Sequence, residues 1–244
     1  MNELEPVQNF SESVSLGDLR AALCAIGREF HFRRWSLGTS SNYSVVTTRN
    51  PLELLITASG KDKSALTMDD FVGVDATGQL LEDQQAAGSK SSAETLLHCL
   101  IAQLFPDVGA ILHTHSVWAT VLSKESLKTQ EMQGSIRIEG YEMLKGLEGI
   151  TTHDSAIEVP VFLNSQDMVE LSHRIEKHFS HSGAVPSQAI QPHGFLLSGH
   201  GLYTWGRTLA DARRHIEIFE FLFEVTAQQK LLAHCRKQFE LKHT

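Results

Sequence analysis

The stretch AILHTHSVWATVLS (residues 110–123) carries the reading of the fold. Its first half is a short apolar run of strand length, and the part from Ser116 reads as a helix leaving that strand. The run holds two histidines, His113 and His115, with one threonine between them. Side chains at i and i+2 of a strand share a face, so both imidazoles stand on one side. Two imidazoles in that relation are half of a tetrahedral zinc site, and a catalytic zinc takes three protein ligands with one position open. A histidine in an apolar strand is more often a hydrogen-bonded core residue, and HxH alone is a weak motif, so a third ligand is needed.

The chain has 13 histidines, and His200 is the best placed of them. It sits in SGHGLY between Gly199 and Gly201, where the backbone can turn sharply and come close to a ligand. His153, His173, His178 and His181 lie in polar segments and read as surface residues. Glu94 follows two serines in what reads as the first turn of a helix, where an acid favours the helix dipole.

Outward from this strand, helices and strands alternate without repeats or linkers. Leu19, Leu23, Ile26 and Phe30 recur at helical spacing behind Ser15, a candidate cap, and Asp18. GTSSNYSVVTT reads as a small-residue turn entering a strand, and PLELLITASG as a strand ending in a Ser-Gly turn. FVGVDATGQLLE reads as a hairpin through Asp75 to Gly78. SSAETLLHCLIAQLFP reads as a helix capped by Ser91 or Ser92, with Pro106 after its end. Residues 124–155 are the least regular. IEVPVFL reads as a strand, SQDMVELSHRIEKHF as an amphipathic helix, and HGFLLSGHGLYTWG as two strands meeting at Gly199 and Gly201. The last helix carries Leu209, Ala212, Ile216, Phe219 and Phe223 on one stripe. This mixture predicts a sheet covered by helices in one domain from residue 15 to 244, behind a flexible tail of residues 1–14.

Composition narrows the function. A chain of 244 residues, 41% hydrophobic and 20% charged, is that of an ordinary soluble globular protein able to bury a core. Its net charge of −8 argues against nucleic acid as a partner, though not against a local pocket for a small anion. Cys24, Cys99 and Cys235 are scattered and odd in number, which argues against a disulfide framework or a thiolate zinc site. No signal peptide, transit peptide or membrane-spanning run is visible, so the expected location is the cytoplasm.

Five short pieces, each weak alone, occur in one order: GTSSN (38–42), ASGK (58–61), SSAE (91–94), HTH (113–115) and GHG (199–201). Together they resemble the class II aldolase/adducin family over most of the chain. The resemblance implies an α/β single domain: a central mixed or antiparallel sheet with helices on both faces. It implies one zinc ion per subunit on His113, His115 and His200, and a homotetramer with a sugar phosphate as the partner. It also implies a phosphate site built from Thr39, Asn42, Ser59, Gly60, Ser91 and Ser92, with Lys61 adding charge. Backbone N–H groups and hydroxyls in such tight turns are suitable anion donors.

ILHTHS, YEMLKGL (141–147) and GLYTWGRT (201–208) are similar to the dehydratase branch of that family. This implies removal of water from 5-methylthioribulose 1-phosphate in methionine salvage, with Glu142 as the acid/base. Some dehydratases have a cysteine where this chain has Glu94, whereas the family's aldolases use an acid there as base. The sequence therefore offers two catalytic carboxylates, Glu142 and Glu94. An aldolase or epimerase acting on fuculose or ribulose phosphate is the alternative. A non-catalytic adducin-like module, which lacks the zinc histidines, is the other.

Overall fold

The computed structural model describes residues 15–82, 90–181 and 192–243. The tail of residues 1–14 lies outside the described residues. Helix α1 (Leu16–Phe32) opens on a capping box: Ser15 Oγ accepts from the Asp18 N–H at 3.1 Å, and Asp18 accepts from the Ser15 N–H at 3.2 Å. Its buried stripe holds Leu23, Ile26 and Phe30. Three strands follow, β1 (Asn42–Arg49), β2 (Leu52–Thr57) and β3 (Phe71–Asp75). The turn from Asp75 to Gly78 pairs back onto β3 through the single bridge Val74–Leu80.

Helix α2 (Thr95–Leu104) then leads to β4 (Ala110–Thr114). The N-cap of α2 is Glu94 rather than the expected Ser91 or Ser92. Ser92 Oγ instead accepts from the Glu94 N–H at 3.3 Å, so the serines shape the entry to the helix from outside it. Helix α3 (Val117–Ser126) is capped by Ser116, whose Oγ accepts from the Ala119 N–H at 3.0 Å. Within the segment expected to be irregular lies a full strand, β5 (Gln133–Glu139), and a 3-10 turn, Glu142–Gly146. Next come β6 (Ala156–Phe162), α4 (Met168–His181), β7 (Gly194–Leu197), β8 (Gly201–Gly206) and α5 (Leu209–His243).

The strands form one sheet in the order β3-β2-β1-β4-β8-β7-β6-β5. Every pairing is antiparallel except β6 with β7, which is parallel and spans two residue pairs, Val161–Leu196 and Phe162–Leu197. Side chains of β4 alternate between two cores. Ala110 and Leu112 join Leu23, Phe30, Leu122 and Phe223, under α1, α3 and α5. Ile111 joins Leu97, Ile101, Leu171 and Ile175, under α2 and α4. The architecture is thus the expected mixed sheet between helix layers. Among the described residues no helix is long and apolar enough to cross a membrane.

Alternation fixes where the polar residues of β4 point. His113 lies on the Ile111 face and Thr114 on the opposite one. The sheet register sets His113 beside Asn42 of β1 and Tyr203 of β8. A three-strand row at the centre of the sheet therefore carries the first elements of a site.

Candidate metal centre

His113 is fully buried, its ring stacked on Tyr203 with centroids 4.0 Å apart. Its Nδ1 lies 2.9 Å from the Leu202 carbonyl oxygen, an acceptor, so Nδ1 carries the proton and Nε2 keeps its lone pair. That is the tautomer a metal ligand needs, oriented by a backbone partner. His115 lies one residue past the end of β4, where its N–H donates to the Trp35 carbonyl at 2.7 Å. Its Nε2 stands 2.7 Å from that of His113. His200 arrives from the turn between β7 and β8. Gly199 takes a left-handed φ of 66° there. At Gly201 a Cβ would stand 2.0 Å from the Thr114 carbonyl oxygen, so only glycine lets the turn press against β4. This approach brings His200 Nε2 to 3.4 Å from His113 Nε2 and 3.1 Å from His115 Nε2.

Glu94 completes the group. Its Oε1 is 3.1 Å from His200 Nε2 and its Oε2 is 3.6 Å from His113 Nε2. The four ligand atoms all lie within 4.8 Å of one another. With zinc–nitrogen bonds of about 2.0–2.1 Å, a tetrahedral site separates its ligand atoms by roughly 3.3 Å, so the cluster has the right dimensions. Burial holds the histidines neutral. It drives His113 well below the usual imidazole range, helped by His115 and His200. It takes His115 down to about 3. His200 is also lowered by burial, against the opposing pull of Glu94. Neutral imidazoles packed at these distances repel protons and suit a cation that shares their lone pairs.

Beside the cluster opens a cleft of about 130 Å³. Thr39, Asn42, Ser59, Gly60 and Ser92, five of the residues expected at a phosphate, line it together with Glu94 and His115. Two others do not. Ser91 pairs through its backbone with Ala58, and Lys61 is drawn to Asp70, 2.7 Å away. The cation that lines the cleft is Lys63, which sequence reasoning missed. Only 1% exposed, it donates from Nζ to the Lys61 carbonyl at 2.7 Å. Burial pulls its amine down to about 8, with Asp62, Asp70 and Glu94 opposing. Asn42 donates to Glu94 Oε2 at 2.5 Å and to Ser92 Oγ at 3.3 Å, so it joins cleft and cluster.

Glu142 stands apart from this group. It opens the 3-10 turn with its side chain 73% exposed and accepts from Lys145 Nζ at 2.6 Å. It is neither in the cluster nor on the cleft wall. His153 and His173 are exposed as expected, whereas His178 is half-buried against the Phe162 ring at 5.3 Å.

Comparison with known proteins places this arrangement. A protein of Marinobacter nauticus named methylthioribulose-1-phosphate dehydratase is 46% identical over 81% of this chain and 87% of its own. A protein of the same name from Pseudomonas fluorescens is 44% identical over 87% and 93%. Among solved structures, an L-fuculose 1-phosphate aldolase superposes with a TM-score of 0.69 at 21% identity, covering 91% of each chain. One from Thermus thermophilus superposes with a TM-score of 0.65 at 21% identity, over 90% of this chain and 99% of its own. These two show the common fold. The family described as the Class II Aldolase and Adducin N-terminal domain matches residues 21–227, and to that family this chain belongs.

Proposed function

We propose that this chain removes water from 5-methylthioribulose 1-phosphate to give 5-methylthio-2,3-dioxopentyl 1-phosphate. It acts as a zinc-dependent hydro-lyase of methionine salvage, a cytoplasmic homotetramer. One observation carries the substrate: relatives 39–46% identical over most of the chain bear the name of that dehydratase. The donor set supports zinc, since three imidazole nitrogens and a carboxylate suit a borderline cation better than calcium or magnesium. Three free cysteines are compatible with a reducing compartment.

His113, His115 and His200 would hold the zinc, which would supply the Lewis acidity that makes the C3 proton beside the C2 ketone easier to remove. The chain's own groups do the rest. The phosphate docks among Thr39, Asn42, Ser59, Gly60 and Ser92, with Lys63 as its cation. Ser91 and Lys61 then act from behind, by holding the turns. Glu94, already at the cluster, takes the C3 proton, and the electron pair enters the C2–C3 bond. That pair next moves to C3–C4 as the C4 hydroxyl departs, taking a proton to leave as water. Glu142 donates this proton. Because it lies outside its own subunit's cleft, a neighbouring subunit of the tetramer must deliver it. The remaining enol ketonises to the product.

The test is turnover of methylthioribulose 1-phosphate against fuculose 1-phosphate and ribulose 5-phosphate by the zinc-loaded protein. Cleavage to a triose or glycolaldehyde, without dehydration, would overturn the proposal in favour of an aldolase. Mixing Glu94→Gln with Glu142→Gln subunits tests the second carboxylate. Recovery of activity in mixed tetramers is expected, and its absence would remove Glu142 from the neighbour's site.

A further inference from the structure

Behind Glu94 runs a buried polar chain whose far members, His98 and Ser44, the proposed reaction does not use. His98 sits one turn after Glu94 on α2, with no exposed surface. Its Nδ1 is 2.8 Å from Ser44 Oγ, and its Nε2 meets Asn42 Oδ1. Asn42 Nδ2 then reaches Glu94 Oε2 at 2.5 Å. The edge of the ring packs against Tyr203, with centroids 5.7 Å apart.

The proton positions along this chain follow from one end. A carboxylate oxygen only accepts, so the Asn42 group facing it is the NH₂. Asn42 Oδ1 therefore faces His98 and accepts from Nε2–H. Nδ1 is then the bare nitrogen, and it accepts from the Ser44 hydroxyl. One tautomer of one neutral ring satisfies every group. Burial keeps His98 neutral, pushing it down to about 3. A flip of Asn42 would set Oδ1 against Glu94 Oε2, two acceptors in contact.

We infer that His98 is a positioning residue: its Nε2–H locks the Asn42 amide so that Asn42 holds Oε2 of Glu94 and leaves Oε1 facing the cluster. The inference deepens the role given above to Glu94 and rests on that reading for its effect on turnover, while the geometry it asserts is independent of the substrate.

Two experiments on the zinc-loaded protein test it. In ¹⁵N spectra of the histidine rings, His98 should show protonated Nε2 and bare Nδ1, with or without substrate. A protonated Nδ1 would overturn the inference even if the dehydratase reading fails. For turnover, His98→Leu should lower kcat about 10- to 100-fold while leaving bound metal unchanged. His98→Gln, which keeps a donor near Nε2, should recover most of the loss. Equal losses in the two variants would mean that His98 only fills space. Should His98→Leu fail to fold, Ser44→Ala serves. It frees the tautomer and should lower kcat several-fold in the Glu94 enzyme, yet add nothing in a Glu94→Gln background. An additive effect there would overturn the inference.

Discussion

Strand β4 separates two carboxylates, one half-buried and one buried, and they live under different rules. On the face of α2, Glu94 lies among two imidazoles within 3.6 Å and an amide donor at 2.5 Å. On the opposite face, Glu220 of α5 is 3% exposed and accepts from Thr114 Oγ1 at 3.2 Å, while its Oε2 has no partner. Burial pushes Glu220 up to about 7, with the Ser116 and Thr114 hydroxyls pulling the other way and Glu224 adding to the rise. Thr114, the residue between two histidines of the cluster, thus ties β4 to a carboxyl that prefers its proton. Where two hydroxyls are the donors, burial outweighs the partners of a carboxyl.

The contrast can be broken most severely on the cluster side. His113→Ala removes the cluster imidazole whose ring is locked from both sides, and is expected to abolish stoichiometric metal binding and lower turnover at least about 10³-fold. Metal analysis beside kinetics checks this, and a fully loaded, active variant would dissolve the cluster reading. Glu94→Gln keeps the shape and removes the proposed base. Turnover should fall about 10²- to 10⁴-fold with metal retained.

The far face predicts a stability effect instead. A carboxyl raised in the folded state binds its proton more tightly there than in the unfolded chain. Its stabilisation is complete below the unfolded value of 4.5 and is lost as pH climbs through about 7. The buried histidines His98, His115 and His193 are lowered, to about 3, 3 and 4, so their stabilisation rises up to pH 6.5 and overlaps that window, but it is common to both proteins and cancels in a comparison of Glu220→Gln with the parent. Between pH 5 and 8, Glu220→Gln should gain up to roughly 3 kcal/mol relative to the parent in urea unfolding. Parallel pH profiles would show that Glu220 is ionised throughout. The smallest effect sorts two lysines. Lys63→Met should raise KM for the phosphorylated substrate about tenfold, and Lys61→Met should leave it unchanged. The reverse pattern would return the phosphate to Lys61.

Much of this was legible because periodicity is a strong signal. Residues two apart in an extended run had to meet on one side, as His113 and His115 do although His115 lies one residue past the end of β4, and a histidine between glycines had to lie where backbones touch. Other features depend on tertiary neighbours. Lys61 and Lys63 are two residues apart, and only the arrival of Asp70 beside Lys61 decides which amine enters the cleft. The cap of α2 shifted to Glu94 because the serines are engaged in entering the helix. Strand β5 carried a readable signal, Ile136 and Ile138 alternating with Ser135, Arg137 and Glu139, but an exposed edge with polar alternate residues is easily taken for loop. His98 gave no signal at all, since a buried histidine on an apolar helix face resembles any other core residue until Asn42 is seen beside it.

The parallel junction of β6 and β7 bears on time rather than position. With only two residue pairs joining them, the β5–β6 hairpin shares few backbone bonds with the six strands that hold the cluster. Proteins open in such cooperative units, each with its own free energy. Amide protons of β5 and β6 are then expected to exchange with solvent through a partial opening that leaves β4 and β8 closed. Faster hydrogen exchange in β5 and β6 than in β4 and β8 is the expected result, and equal rates would make the whole sheet one unit.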